Sequence, residues 1–173
     1  MELGYHETER SEMTASTTTP GAFVRADHDG EHRWFFGGGV HTWKVRESQT
    51  NGAFLLFEDR MTQGKLTPLH IHPDCAEAFY VLEGEYLMYV GERQQRCPPG
   101  TFVYVPRDTP HTFKVISPGP GRKLVLFSPA AMLGYFEELC AAQAAGEPTV
   151  ELLEAIGRRN NVEVVGPVPD TYL

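Results

Sequence analysis

Between Phe23 and Ser128 the apolar residues come in short runs, rich in aromatic and β-branched side chains and broken by glycine and proline. Such punctuation predicts strands rather than helices. The candidate strands are Thr42–Val45, Ala53–Asp59, Leu66–His72, Glu77–Leu82, Glu85–Val90, Thr101–Val105, His111–Ile116 and Lys123–Phe127. Turn-forming residues separate them at Asn51-Gly52, Gly84, Gly91-Glu92, Pro98-Pro99-Gly100 and Pro118-Gly119-Pro120-Gly121. Many short strands with no helix between them predict a β-sandwich or barrel. Strict alternation fails in Phe54-Leu55-Leu56-Phe57, which predicts burial on both faces there.

After Phe127 the period changes. Ser128-Pro129 reads as a helix N-cap and first-turn pair. Met132, Tyr135, Phe136 and Leu139 then recur at helical spacing, and Gly146 stands where a C-terminal glycine belongs. A second helix is predicted over Val150–Arg159, with Leu152, Leu153 and Ile156 facing inward. Ahead of the strands the chain is polar and rich in Ser and Thr, which predicts a mobile tail. Three zones follow: the tail over residues 1–21, a β core over 22–128, and C-terminal helices and tail packing on it over 129–173.

Composition narrows the function. A chain of 173 residues with 41% apolar and 22% charged content suits one globular domain. Its net charge of -8 opposes binding to phosphate backbones and anionic lipid, so neither nucleic acid nor a membrane surface is expected as partner. No apolar run is long enough to span a bilayer, and the first residues lack the basic-then-apolar order of a secretory signal. Cys75, Cys97 and Cys140 are odd in number and far apart, with no CxxC pair. They argue against a disulfide scaffold and a thiolate zinc site, and for a reducing, cytoplasmic location. Cys75 is expected to be a small buried residue.

The chemistry concentrates in the stretch from Gly64 to Gly84. His70 and His72 are two residues apart, and on a strand such side chains share a face. Pro73 and Asp74 are placed to bend the chain, which lets Glu77 reach the same point from the next strand. His111 follows Pro106 and Pro110 far along the sequence and supplies a third imidazole. Three nitrogens and one carboxylate oxygen suit a single divalent transition metal ion: Fe, Mn, Ni, Co, Cu or Zn. With seven histidines in the chain, chance alone supplies roughly 0.3 His-x-His pairs, so the pair is weak by itself. Adding Glu77 and the flanking Gly64 and Gly84 lowers the chance expectation to roughly 0.0006, which makes the whole pattern specific.

That pattern resembles the first motif of the cupin superfamily, G-x5-H-x-H-x3–4-E-x6-G, at Gly64, His70, His72, Glu77 and Gly84. Gly100, Pro106 and His111 resemble the second motif, which departs at Asp108, where glycine is usual, and at Val115, where asparagine is usual. Asp tolerates a left-handed turn better than most residues, so the loop survives the first change. The flanking strands and the C-terminal helix resemble small single-domain cupins of the quercetin 2,3-dioxygenase-like group. The resemblance implies an all-β, double-stranded β-helix (a jelly-roll cupin barrel) with C-terminal α-helices. It implies His70, His72, Glu77 and His111 as metal ligands, and a homodimer.

Around the ligands, Phe79, Val81 and Phe113 follow from the two-residue strand period as pocket lining. Met88, Tyr104 and Phe127 are further candidates, with Phe136 closing the mouth. Tyr80 and Tyr104 are candidates to offer a hydroxyl. An apolar cavity over a metal suits an aromatic or otherwise apolar small-molecule substrate. The expected activity is a metal-dependent dioxygenase acting on an aromatic or flavonol-like molecule, with Glu77 doubling as general base. The alternative is a non-oxidative cupin, either a small-molecule binding protein or an isomerase, with a structural or absent metal.

Overall fold

The computed structural model describes residues 21–35 and 39–166. The predicted tail, except for Gly21, and residues 167–173 lie outside the described residues, as do Phe36, Gly37 and Gly38. In chain order the strands are β1 (Glu31–Phe35), β2 (Gly39–Val45), β3 (Leu55–Met61), β4 (Leu69–Ile71), β5 (Ala76–Glu83) and β6 (Tyr86–Val90). They continue with β7 (Arg93–Cys97), β8 (Phe102–Val105), β9 (His111–Val115), β10 (Gly121–Ser128) and β11 (Glu163–Gly166). Two helices, α1 (Leu133–Ala145) and α2 (Val150–Arg159), lie between β10 and β11.

The strands form two antiparallel sheets, ordered β1-β2-β3-β10-β5-β8 and β11-β4-β9-β6-β7. The two-residue period decides which side faces the core. On β10, Lys123, Val125 and Phe127 are buried while Arg122, Leu124 and Leu126 are only half-buried. Leu55, Phe57, Phe79 and Val81 from the first sheet meet Tyr86, Met88, Phe113 and Val115 from the second in one apolar core. Each phenylalanine so enclosed contributes about 2 kcal/mol of transfer free energy. The Phe54–Phe57 run alternates after all: Leu55 and Phe57 are buried and Phe54 and Leu56 half-covered.

Several sequence expectations need correction. Leu66–His72 contracts to β4, because Pro68 and Pro73 bracket it and cannot donate to a ladder; Leu66 keeps an isolated bridge to Lys114. Ser128 does not cap a helix. It ends β10, where its hydroxyl donates to the Ala53 carbonyl, and α1 starts only after Met132. On α2, Thr149 is the cap, its side chain accepting from the Leu152 amide. Ile156 is buried as expected, Leu153 is half-buried, and Leu152 is exposed because it flanks the cap on the outer side. Strands β1, β7 and β11 did not register in the sequence pattern; all three are sheet-edge strands, and β7 (Arg93-Gln94-Gln95-Arg96) is exposed up to Cys97.

Two backbone positions hold the site loops in place. Gly84 has φ +75°, and a Cβ there would stand 2.8 Å from the Pro120 carbonyl oxygen and the Ser117 hydroxyl. Asp108 takes φ +58°, the left-handed conformation for which glycine is usual. Its amide donates to the His72 carbonyl at 3.2 Å, tying the loop before His111 to the first histidine pair.

Candidate metal centre

His70 lies on β4 and His72 one residue beyond its end, so their rings share a side, with centroids 4.8 Å apart. The turn Pro73-Asp74-Cys75 reverses the chain into β5, whose second residue is Glu77. His111 opens β9 and is the register partner of His70 on β4, with ring centroids 4.2 Å apart. His70, His72, Glu77 and His111 are all buried, and one ligand atom from each lies within 4.8 Å of the others. The sequence-predicted ligand residues are therefore brought together.

Hydrogen bonds fix how the rings point. Nδ1 of His70 is 2.8 Å from the Pro68 carbonyl, and Nδ1 of His111 is 2.9 Å from the Thr109 carbonyl. A carbonyl only accepts, so both Nδ1 atoms carry the hydrogen and a neutral ring presents its Nε2 lone pair inward. Nε2 of His111 is 2.8 Å, and Nε2 of His72 3.3 Å, from Oε2 of Glu77. Lone pairs facing a buried carboxylate at that distance repel unless a cation sits among them, and a borderline divalent ion meets the N3O donor set. The residues present thus fit a metal ion.

With no ion between them the same groups interact through a proton instead, since Nε2 donates to Glu77 only when the ring carries a second hydrogen. Burial, reinforced by the positive charge of His111 and His72, pushes His70 down to about 3, so this ring stays neutral well into acid. Burial alone raises the Glu77 carboxyl, but hydrogen bonds and charge from His111 and His72 outweigh it and hold the group well below the carboxylate range. Burial lowers His111, and Glu77 outweighs that and raises it. Cys75, between these ligands, is pushed up to about 12 by burial and by the Glu77 and Asp74 charges. It stays a thiol and is not among the four residues whose ligand atoms converge.

His70, His72 and Glu77 line a cavity of about 1380 Å³, whose wall also includes residues of α1, α2 and β11. Of the predicted pocket residues, Phe79, Phe113, Phe127 and Phe136 line it. The ring of Phe127 meets His72 edge-on at 5.4 Å, and Phe136 on α1 packs against Phe57 at 4.9 Å and Phe127 at 5.6 Å. Val81 and Met88 are buried in the core but are not among the lining residues. Tyr104 is placed elsewhere: on β8 the inward positions are Val103 and Val105, which leaves Tyr104 57% exposed on the outer face. Tyr80 is likewise exposed. The hydroxyl beside the cavity belongs instead to Tyr135, pushed up to about 12 by burial and by the Glu77 charge. Its helical spacing with Met132 and Leu139 resembled a packing stripe and hid it. The cavity wall also carries His41, Asp59 and Lys123, which sequence reasoning passed over; the available signal was a lysine in phase with Val125 and Phe127.

Residues 57–127 match the sequence model of the family described as "Cupin domain". Over that stretch the chain carries a cupin domain. Over 85 residues, 49% of this cupin and 25% of the relative, it is 28% identical to quercetin 2,3-dioxygenase of Bacillus subtilis (strain 168). The match therefore spans a quarter of that protein's length. Among solved structures, KdgF from Halomonas sp. superimposes with a TM-score of 0.55 at 19% identity, covering 63% of this cupin and 94% of KdgF. An RmlC-like cupin from Shewanella frigidimarina NCIMB 400 gives 0.54 at 20% identity, covering 65% and 96%. These likenesses show the fold, a jelly roll. No helix among the described residues is long and apolar enough to cross a membrane.

Proposed function

We propose that this cupin is a metal-dependent dioxygenase acting on an aromatic, flavonol-like small molecule. The observation that carries the reading is a buried N3O donor set beside a cavity lined by phenylalanines. The likeness to a quercetin dioxygenase over half of the chain supports the same direction. A borderline divalent ion held by His70, His72, Glu77 and His111 would acidify a bound hydroxyl and bring substrate and dioxygen together. Glu77, the carboxylate of the cluster, accepts the substrate's proton in this reading. Tyr135 keeps its hydrogen and donates to a substrate oxygen. Phe127 and Phe136 exclude water and offer faces to an aromatic ring.

The test is oxygen uptake by metal-reconstituted protein with a panel of flavonols and catechols. The parent consumes oxygen, and His72→Ala loses at least about 100-fold. Uptake unchanged in His72→Ala removes the metal centre from the chemistry. Full metal occupancy with no uptake on any of the panel moves the assignment to a non-oxidative cupin.

A further inference from the structure

A second buried polar cluster shares the cavity, and the metal centre does not use it. His41 on β2, Asp59 on β3 and Lys123 on β10 are register partners across three adjacent strands. They are 2%, 3% and 1% exposed. The ammonium of Lys123 pairs with Oδ2 of Asp59, and Nε2 of His41 stands 3.3 Å from Oδ1 of Asp59. Aromatic rings enclose the row. Lys123 Nζ lies 3.8 Å from the Phe113 centroid and 5.2 Å from that of Tyr86, and His41 stacks on Phe57 at 4.4 Å. Replacing a buried ion pair by apolar side chains is often neutral or stabilising. Packing alone therefore does not explain a Lys–Asp–His row on a cavity wall.

Position and charge say what the row suits. Lys123 and Phe127 share the inward face of β10, four residues and about 13 Å apart. Phe127 is the register partner of Glu77 and touches His72. His70, His72 and Glu77 of one cluster and His41, Asp59 and Lys123 of the other thus line one cavity together with Phe79, Phe113 and Phe127. Their charges differ. A divalent ion with Glu77 is net positive and takes an anionic oxygen. The Lys123 and Asp59 charges cancel, leaving N–H donors beside a carboxylate acceptor. A neutral hydroxyl both donates and accepts and satisfies that pair, whereas a carboxylate or phosphate meets the Asp59 charge with no hydrogen to give.

We propose that His41, Asp59 and Lys123 form a second subsite that binds a neutral phenolic hydroxyl at the far end of an aromatic substrate whose near end ligates the metal. This rests on the cavity being the substrate site. The experiment is anaerobic titration calorimetry of metal-reconstituted protein with 3-hydroxyflavone and its 7-hydroxy and 4′-hydroxy derivatives. The parent binds at least one of the two dihydroxylated probes about tenfold or more tighter than 3-hydroxyflavone. In Asp59→Asn/Lys123→Met, which removes both charges together, the three affinities fall within about twofold of one another. Equal affinities in the parent, or a preference that survives in the double variant, overturn the subsite alone. Failure of all three probes to bind the parent overturns the substrate cavity and the subsite with it. The parent comparison needs no variant, so a double variant that fails to fold leaves it decisive.

Discussion

Oε2 of Glu77 is shared by two imidazoles, His111 at 2.8 Å and His72 at 3.3 Å. Glu77→Gln keeps the shape and removes the charge, so it is expected to weaken metal binding about 10–100-fold while leaving the fold intact, read by competition with a chelator. Asp59 behaves differently because its partner is a fixed cation. Burial raises its carboxyl, yet Lys123 and then His41 outweigh this and hold it at about 2. A folded pKa below the unfolded one stabilises above the unfolded value, and that stability drains away as pH falls from about 4 to about 2. The shift corresponds to about 2 kcal/mol. Urea midpoints of metal-free protein at pH 6, 4 and 3 should fall less steeply in Asp59→Asn/Lys123→Met than in the parent; parallel curves would show that the pair does not carry this term. The four clustered residues were legible from their spacing, since the two-residue strand period puts His70 and His72 on one side and the turn after them returns Glu77 to it. Tyr135 and the His41–Asp59–Lys123 row were not, since each position also fits a packing or surface role until the strands are laid side by side.

Strands were legible where one face is buried and the other is not, as on β5 and β10. The edge strands β1, β7 and β11 carry no such signal, whereas the edge strand β8 does. Strand β7 pairs with β6 through Leu87↔Arg96 and Met88↔Gln95, yet its residues up to Cys97 face solvent, so no apolar signal marks it. The start of α1 was misplaced for a related reason: Ser128-Pro129 has cap chemistry, but sheet pairing to Ala76 and the hydroxyl bond to Ala53 claim Ser128 first. The turn between β5 and β6 is more demanding. Gly84→Ala forces a Cβ against the Pro120 carbonyl at positive φ, and we expect a loss of about 1–3 kcal/mol in urea unfolding. On α1, Phe136 fills the space between Phe57, Phe127 and His41. Phe136→Ala should cost about 3 kcal/mol and leave a void over the metal cluster. A smaller loss, under about 1 kcal/mol, would mean that α1 does not seal the cavity.

At the scale of the whole molecule, the first sheet ends in β8, whose outer face exposes Phe102 and Tyr104 beside Tyr80 of β5. An aromatic patch at a sheet edge is costly in water, and we propose that a second copy of the chain covers it, giving a homodimer. Light scattering coupled to gel filtration should return twice the chain mass for the parent and the chain mass for Phe102→Glu/Tyr104→Glu; a monomeric parent would contradict this. The two sheets serve one arrangement, in which residues from β4, the loop after it, β5 and β9 meet at a point. Anomalous diffraction from crystals loaded with a single transition metal tests that arrangement most directly. One peak is expected at about 2.0–2.2 Å from a nitrogen of His70, His72 and His111 and an oxygen of Glu77. Stoichiometric metal located anywhere else, or no peak at this point in loaded crystals, would contradict it.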